Sequence, residues 1–335
     1  MTYSGHAWRV TRFGDPAAGV QRQEAQWPEP PSGQVLIRVR AAGAGYPDLM
    51  MASGTYPLLG EPPIGLGEKA AGEVVAVPAG SRFSVGDQVT GITAFLEGWG
   101  GYADYAYLNE GSTILIPAGM TDEEAGGFPI GFRTAYAGLV ERAPVAAGQA
   151  LLVLGAAGSA GAAAVQLGKA LGATVISLVG GQDKAEFTLR HGADHVVNYR
   201  ADDVTARLAG LTGGRGVDVI FDPVGGDAAA VALKSLARGG RIALIGLASG
   251  AMAPLSPIDL LLRNHTAVGV LATPQEDAGK EASVWEHLAE LATRRAVTTP
   301  VGAVRDFGDV PAMIAGQATA VPGKTVVRVA RETAR

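Results

Sequence analysis

The chain has 335 residues, 47% hydrophobic and 18% charged, enough to bury a core in each of two domains. A formal net charge of −5 without any basic run argues against a nucleic-acid partner, and the lack of cysteine excludes disulfides and thiolate metal sites. No apolar run reaches about 18 residues and the opening MTYSGHAWRV has no apolar leader, so a cytoplasmic protein with no membrane partner is expected.

Up to about residue 120 the chain reads as strands and turns. VLIRVRAAG (35–43) alternates apolar and basic residues with period two, as a half-buried strand does. AAGEVVAVPAG (70–80) and DQVTGIT (87–93) follow, while YPLLGEPPIGLG (56–67) reads as loop. Thr121 and Glu124 then form a capping-box pattern, and from there strands and helices alternate. LLVLG (151–155) predicts a strand and AGAAAVQLGKALG (160–172) a helix closed by Gly172. TVISLV (174–179), DHVVNY (194–199), VDVIFDPVGG (217–226), RIALIGL (241–247) and HTAVGVLA (265–272) are further strands. Helical segments such as KAEFTLRHG (184–192) and SPIDLLLRN separate them, and AAAVALKSLARGG leads into RIALIGL. Repeated β-α units predict a mostly parallel sheet with helices on both faces, hence an α/β chain. One more helix, at about 278–295, precedes VTTPVGAV, DVPAMIAGQA and KTVVRVA, which return to the β-rich texture of the first half.

The stretch LGAAGSAG (154–161) lies between a predicted strand and a predicted helix. Free amides and the dipole at such a helix N-terminus suit a pyrophosphate. Gly158 and Gly161 leave room for close approach, and Ala160 allows the helix to pack on the sheet. The turn Ala157, Gly158, Ser159, Ala160 and Gly161 is therefore assigned to a dinucleotide cofactor. An acid about 20 residues further on would read a ribose 2′-hydroxyl, but that position is Gly180. Gly180 and Gly181 leave space for a 2′-phosphate, and Lys184 and Arg200 could supply positive charge, so NADPH is expected over NADH.

From about residue 8 to residue 330 the chain resembles the zinc-free quinone oxidoreductase branch of the medium-chain dehydrogenase/reductase superfamily. The resemblance rests on eleven stretches in the family's order, among them PSGQVLIRVRAAG, PDLMMASGTYP, GLGEKAAGEVVAVPAG, GFRTAYAGL, HGADHVVNY, GGRIALIGLASG and PGKTVVRV. It implies a GroES-like β-rich catalytic domain over 1–124, a Rossmann NADPH-binding domain over 125–271 and a return to the catalytic domain over 272–335. It also implies a cleft between the domains for cofactor and substrate, and a homodimer through the last Rossmann strand. Zinc relatives carry Cys at the place of Gly45 and His at that of Gly67, and only Glu68 of that signature remains. His191 and His195 have a metal-like spacing, but Gly192 interrupts them, and solvated or capping roles are the stronger reading.

By family position, Gly45 and Thr134 lie on the nicotinamide side, and Gly45 stands where many members have Asn. Lys184 and Tyr199 are placed at the 2′-phosphate, with Val224, Gly246, Leu247 and Leu271 along the cofactor groove. Tyr56 and Tyr46 are the candidate proton donors, Tyr56 matching the acid of related enoyl-thioester reductases. The expected reaction is hydride transfer from NADPH to a small-molecule quinone or α,β-unsaturated carbonyl compound. Alternatives are an enoyl-thioester reductase and a non-catalytic NADPH-binding protein like the crystallin relatives of the family.

Overall fold

Strands dominate the first 120 residues of the computed structural model, which describes residues 1–58, 60–272, 278–316 and 321–329. They are β1 (Tyr3–Val10), β2 (Val20–Trp27), β3 (Gln34–Gly43), β4 (Ile64–Gly65), β5 (Lys69–Ala76), β6 (Gln88–Thr93) and β7 (Tyr105–Leu115). The middle of the chain supplies β8 (Ala150–Leu154), β9 (Thr174–Val179), β10 (His195–Asn198), β11 (Val217–Asp222), β12 (Leu236–Leu244) and β13 (Thr266–Gly269). After the helix Ala278–Thr293 come β14 (Val301–Asp306) and β15 (Lys324–Arg328). Two compact units result: Met1–Ile130 with Pro274–Thr293 and Thr299–Arg335, and Gly131–Thr273 with Arg294–Thr298. The chain passes from one to the other inside the helix Asp122–Tyr136, whose start carries the expected capping box. Thr121 N–H donates to Glu124 Oε2 at 2.9 Å, and Glu124 N–H donates to Thr121 Oγ1 at 3.1 Å.

In the first unit one sheet has the order β2-β1-β4 and a larger one the order β14-β15-β3-β5-β6-β7, with β3 also pairing β7. The β14–β15 pair is parallel and the other pairings are antiparallel, as in a GroES-like barrel. Val35, Leu36 and Ile37 of β3 are all buried, so the alternation expected of VLIRVRAAG holds only around Arg38, which is exposed between buried Ile37 and Val39. A cluster with Ala7, Trp27, Leu36 and Tyr107 all buried joins β1 and β2 to β3 and β7.

The second unit is a six-stranded parallel sheet, β10-β9-β8-β11-β12-β13. All five residues of β8 are buried, since helices cover both faces of such a sheet. Leu152, Ile176, Ile220 and Ile242 fill its core at zero exposure, each contributing roughly 1.5–3 kcal/mol by leaving water.

Among the elements that differ from the sequence reading is the helix Val310–Ala315, inside DVPAMIAGQA, where a β-rich texture is expected. YPDLMMAS is a helix, Tyr46–Ser53, with Pro47 in its first turn and Gly54 closing it at φ 79°. β12 begins at Leu236, earlier than RIALIGL suggests. Its pairing with β11 shifts between Val217 and Val219, and Gly239 at φ 75° supplies the backbone freedom for that irregularity.

Candidate functional site

The sheet order places β8 beside β11, although β9 and β10 intervene in sequence. Connections from these two strands leave in opposite directions and open a crevice at their C-terminal ends. The glycine turn lies there. Gly155 follows β8 at φ 57°, and Gly158 is the N-cap of the helix Ser159–Ala170. Gly158 has no side-chain oxygen for the helix's first amides, so a phosphate can take the role of cap. A Cβ on Gly158 would meet only Gly155 O, at 3.3 Å, whereas one on Gly161 would lie 2.3 Å from that oxygen. Gly158 thus leaves approach space, while Gly161 lets the helix sit on the turn. A Cβ on Gly131, in the helix that carries Thr134, would stand 3.3 Å from the Ser159 hydroxyl.

The loop after β11 closes on the same turn. A Cβ on Gly155 would lie 2.8 Å from Val224 Cγ2. Asp222 Oδ1 accepts from Val224 N–H at 2.9 Å and Gly225 N–H at 2.8 Å, fixing the loop. Burial raises the Asp222 carboxyl above the usual range. Gly246 donates to Asp222 O at 3.3 Å, which ties the end of β12 and Leu247 beside it.

At the far end of the crevice Tyr199 N–H donates to Val179 O at 3.0 Å, bringing the end of β10 against the end of β9. A Cβ on Gly180 would lie 2.4 Å from the Tyr199 hydroxyl oxygen, so the tyrosine occupies the space an acidic side chain would need. Gly181 caps the helix Gln182–Arg190, whose first turn holds Lys184, and the Arg200 guanidinium lies 5.9 Å from the Tyr199 ring centre. These residues fit a dinucleotide: a helix start with no side-chain cap, a glycine cradle and cations where an acid would repel a 2′-phosphate. Leu271 stands 62% exposed just beyond β13, two strands from β11.

In the first unit the expected residues Gly45 and Tyr56 adjoin a buried cluster of charges, and Tyr46 begins the helix that carries Asp48. Asp48 Oδ2 accepts from Gly45 N–H at 2.7 Å and from Tyr102 Oη–H at 2.8 Å. Its Oδ1 accepts from Gly67 N–H at 3.1 Å. Burial raises the Asp48 carboxyl, opposed by the nearby Lys69 ammonium. Burial likewise pushes the Tyr102 phenol well up, helped by the Asp48 carboxylate. Lys69 Nζ donates to Glu68 Oε2 at 3.2 Å, with both side chains almost fully buried. Tyr56 is half-buried, its ring 6.4 Å from that of Phe95, and burial plus the Glu68 and Asp48 charges push its phenol up to about 12.

Glu68 is bound to a lysine, and residues 45 and 67 beside it are glycines. His191 ends the helix Gln182–Arg190, where its Nδ1–H donates to Phe187 O at 2.7 Å, the capping role expected of it. Sequence reasoning missed Asp48, Lys69, Tyr102 and Lys324. The sign that could have found them is GLGEKAAGEVV, where a Glu-Lys pair enters a strand of small residues with no alternation to expose it.

A family model described as alcohol dehydrogenase GroES-like domain matches residues 31–118, and one described as zinc-binding dehydrogenase matches residues 160–290. The human quinone oxidoreductase is 31% identical over 268 residues, 79% of either chain. The chain belongs to the quinone oxidoreductase branch of the medium-chain dehydrogenase/reductase superfamily. The structure of Escherichia coli quinone oxidoreductase complexed with NADPH superposes on this quinone oxidoreductase relative with TM-score 0.88 and 26% identity, covering 97% of this chain and 100% of that one. A solved NAD-dependent alcohol dehydrogenase matches as well, with TM-score 0.88, 27% identity and the same coverages. Overall likeness therefore does not choose the coenzyme, and the residues around Gly180 have to.

Proposed function

We propose that this oxidoreductase uses NADPH to reduce quinones or α,β-unsaturated carbonyl compounds without a metal. The observation that carries the coenzyme choice is Tyr199 lying over Gly180, with Lys184 on the adjoining helix turn. Bound NADPH would supply the hydride. Tyr56, with its phenol pushed up to about 12, stays protonated and donates a hydrogen bond to the acceptor carbonyl. Zinc independence follows from the donor chemistry: Gly45 and Gly67 bring no ligand atoms, and Glu68 is held by Lys69. The test is NADPH oxidation against a panel of quinones, enones and enoyl-CoA thioesters. Turnover on the first two supports the proposal; turnover confined to thioesters, or tight NADPH binding with none, overturns it.

The phosphate assignment has its own test. Lys184→Ala is expected to lower kcat/KM for NADPH about 10-fold, the weight of one charge-assisted hydrogen bond, and to leave NADH unaffected. Equal losses with both coenzymes would remove Lys184 from the phosphate.

A homodimer is part of the same proposal. β13 is an edge strand, and the helix Pro257–Arg263 before it exposes Ile258, Leu261 and Leu262, the latter two at 71% and 63%. An unpaired edge next to exposed leucines fits a second copy related by a two-fold axis. Sedimentation of the protein at micromolar concentration should give a dimer, and Leu261→Asp a monomer that keeps NADPH binding; a monomeric wild type would contradict the assembly.

A further inference from the structure

The helix that starts at Gly158 runs 12 residues, about 18 Å, and ends beside a cavity of about 350 Å³. Every wall of this cavity belongs to the second unit. Lys169 lines it from the last turn of that helix, and Arg190 and His191 line it from the end of the helix Gln182–Arg190. Arg295 and Thr298 form the third wall, from the stretch 294–298 that returns to this unit after the helix Ala278–Thr293. Gln166 fastens that stretch: its Nε2 donates to Thr298 O at 2.9 Å, and its Oε1 accepts from Thr298 N–H at 2.9 Å. Arg295 stands at φ 57°, a left-handed backbone uncommon outside glycine.

Among the described residues that line the cavity none is acidic, in a chain whose net charge is −5. Lys169 Nζ is bound to Asp194 Oδ1, and Asp194 Oδ2 accepts from Val175 N–H at 2.9 Å. The Arg190 guanidinium makes no hydrogen bond or ion pair among the described residues. His191 spends its Nδ1–H on Phe187 O, which leaves Nε2 for a ligand. A basic residue in the last turn of a helix complements the negative end of its dipole. That accounts for Lys169 and Arg190 but not for Arg295, which belongs to neither helix. A dipole end also carries only about half a charge, less than the Arg190 guanidinium alone.

The donors select the anion. Guanidinium groups give paired N–H donors to two oxygens of one group, and an ammonium adds a point charge. Nε2 accepts from a protonated phosphate oxygen or, when itself protonated, donates to a bare one. A carboxylate has two oxygens, too few for all these partners, whereas a phosphate has at least three and a higher charge. The volume falls within the range of small-molecule sites, roughly 300–1,000 Å³, and leaves room for more than the phosphate itself.

We propose that this cavity binds a phosphate group, free or carried by a small metabolite, at a site separate from the glycine turn. Bound there, the phosphate ties the ends of the two helices to the stretch 294–298 through Arg295. The assignment is independent of which coenzyme or acceptor the protein uses.

Isothermal titration of the full-length protein with inorganic phosphate and with ribose 5-phosphate, at neutral pH and constant ionic strength, tests it. One saturable site is expected for at least one of them, and saturating NADPH should leave it in place. Arg190→Gln should weaken binding about 10-fold and Arg190→Gln/Arg295→Gln about 100-fold, while Lys184→Ala binds as wild type does. Tighter binding of ribose 5-phosphate assigns the site to a phosphorylated metabolite, and tighter binding of inorganic phosphate assigns it to the free ion. No saturable binding of either at millimolar concentration, displacement by NADPH, or wild-type affinity in the double variant would overturn the site. Histidine ring NMR gives a second reading on the wild-type protein, with His191→Gln for assignment. Phosphate should move the His191 Nε2 signal, and a signal that stays in place would also overturn it.

Discussion

Gly180→Asp is expected to invert the coenzyme preference, lowering kcat/KM for NADPH about 100-fold or more while NADH loses far less. Two effects act in the same direction. The new carboxylate would face a 2′-phosphate, and opposing like charges at close range costs several kcal/mol. Its Cβ would also start 2.4 Å from the Tyr199 hydroxyl oxygen, so the tyrosine must leave the place it holds at the end of β9. Loss of Tyr199 packing alone would weaken both coenzymes alike. The measured quantity is therefore the ratio of the two kcat/KM values, and an unchanged ratio would show that the residue at 180 does not read the ribose.

The second large effect is on stability. Asp48→Ala leaves Gly45 N–H, Gly67 N–H and Tyr102 Oη–H without the carboxylate they share. Each buried donor left unsatisfied costs about 1–3 kcal/mol, so a total loss of roughly 3–5 kcal/mol is expected, short of simple additivity. Asp48→Asn keeps the shape and one strong acceptor, and should lose less. Its deficit depends on pH in a defined direction. Burial raises the Asp48 carboxyl in the folded state, so the wild-type contribution is full below the unfolded value of 3.8 and declines as pH rises through the folded one. The gap between wild type and Asp48→Asn is then widest in acid and narrows upward. Urea unfolding across that range measures it; an Asp48→Ala protein within about 1 kcal/mol of wild type would contradict the network.

How far the sequence reveals this molecule depends on whether a feature is local. The Rossmann unit was legible because its signals are short-range: the apolar run of β8, the glycine turn after it, and Gly172 and Gly192 stopping helices at φ 81° and 103°. The capping pair Thr121 and Glu124 was legible for the same reason. Tyr46–Ser53 was not, because an eight-residue helix with Gly before it, Pro in its first turn and two methionines has no clear periodicity. The start of β12 was hidden by two glycines that read as a break and serve instead as an irregularity within the strand. On the nucleotide side, Gly180 could be singled out by its spacing from the turn, but only packing shows Tyr199 lying over it. The buried cluster of the first unit was the least legible part. Asp48, Glu68, Lys69, Tyr102 and Lys324 come from four separate segments, and a lone charge in a strand reads as a solvated one. Only the pairing of β15 with β3, and of β3 with β5, brings Lys324 beside Gly43 and Lys69 beside Gly45.

Transfer of deuterium from NADPH labelled at C4 of the nicotinamide ring tests the reductase reading most directly. The protein is incubated with the labelled coenzyme and an α,β-unsaturated ketone, and the saturated product is analysed by mass spectrometry. One deuterium on carbon is expected in the product, formed faster than with labelled NADH. A ketone recovered unchanged, or saturated without deuterium, while NADPH remains bound to the folded protein, would contradict it.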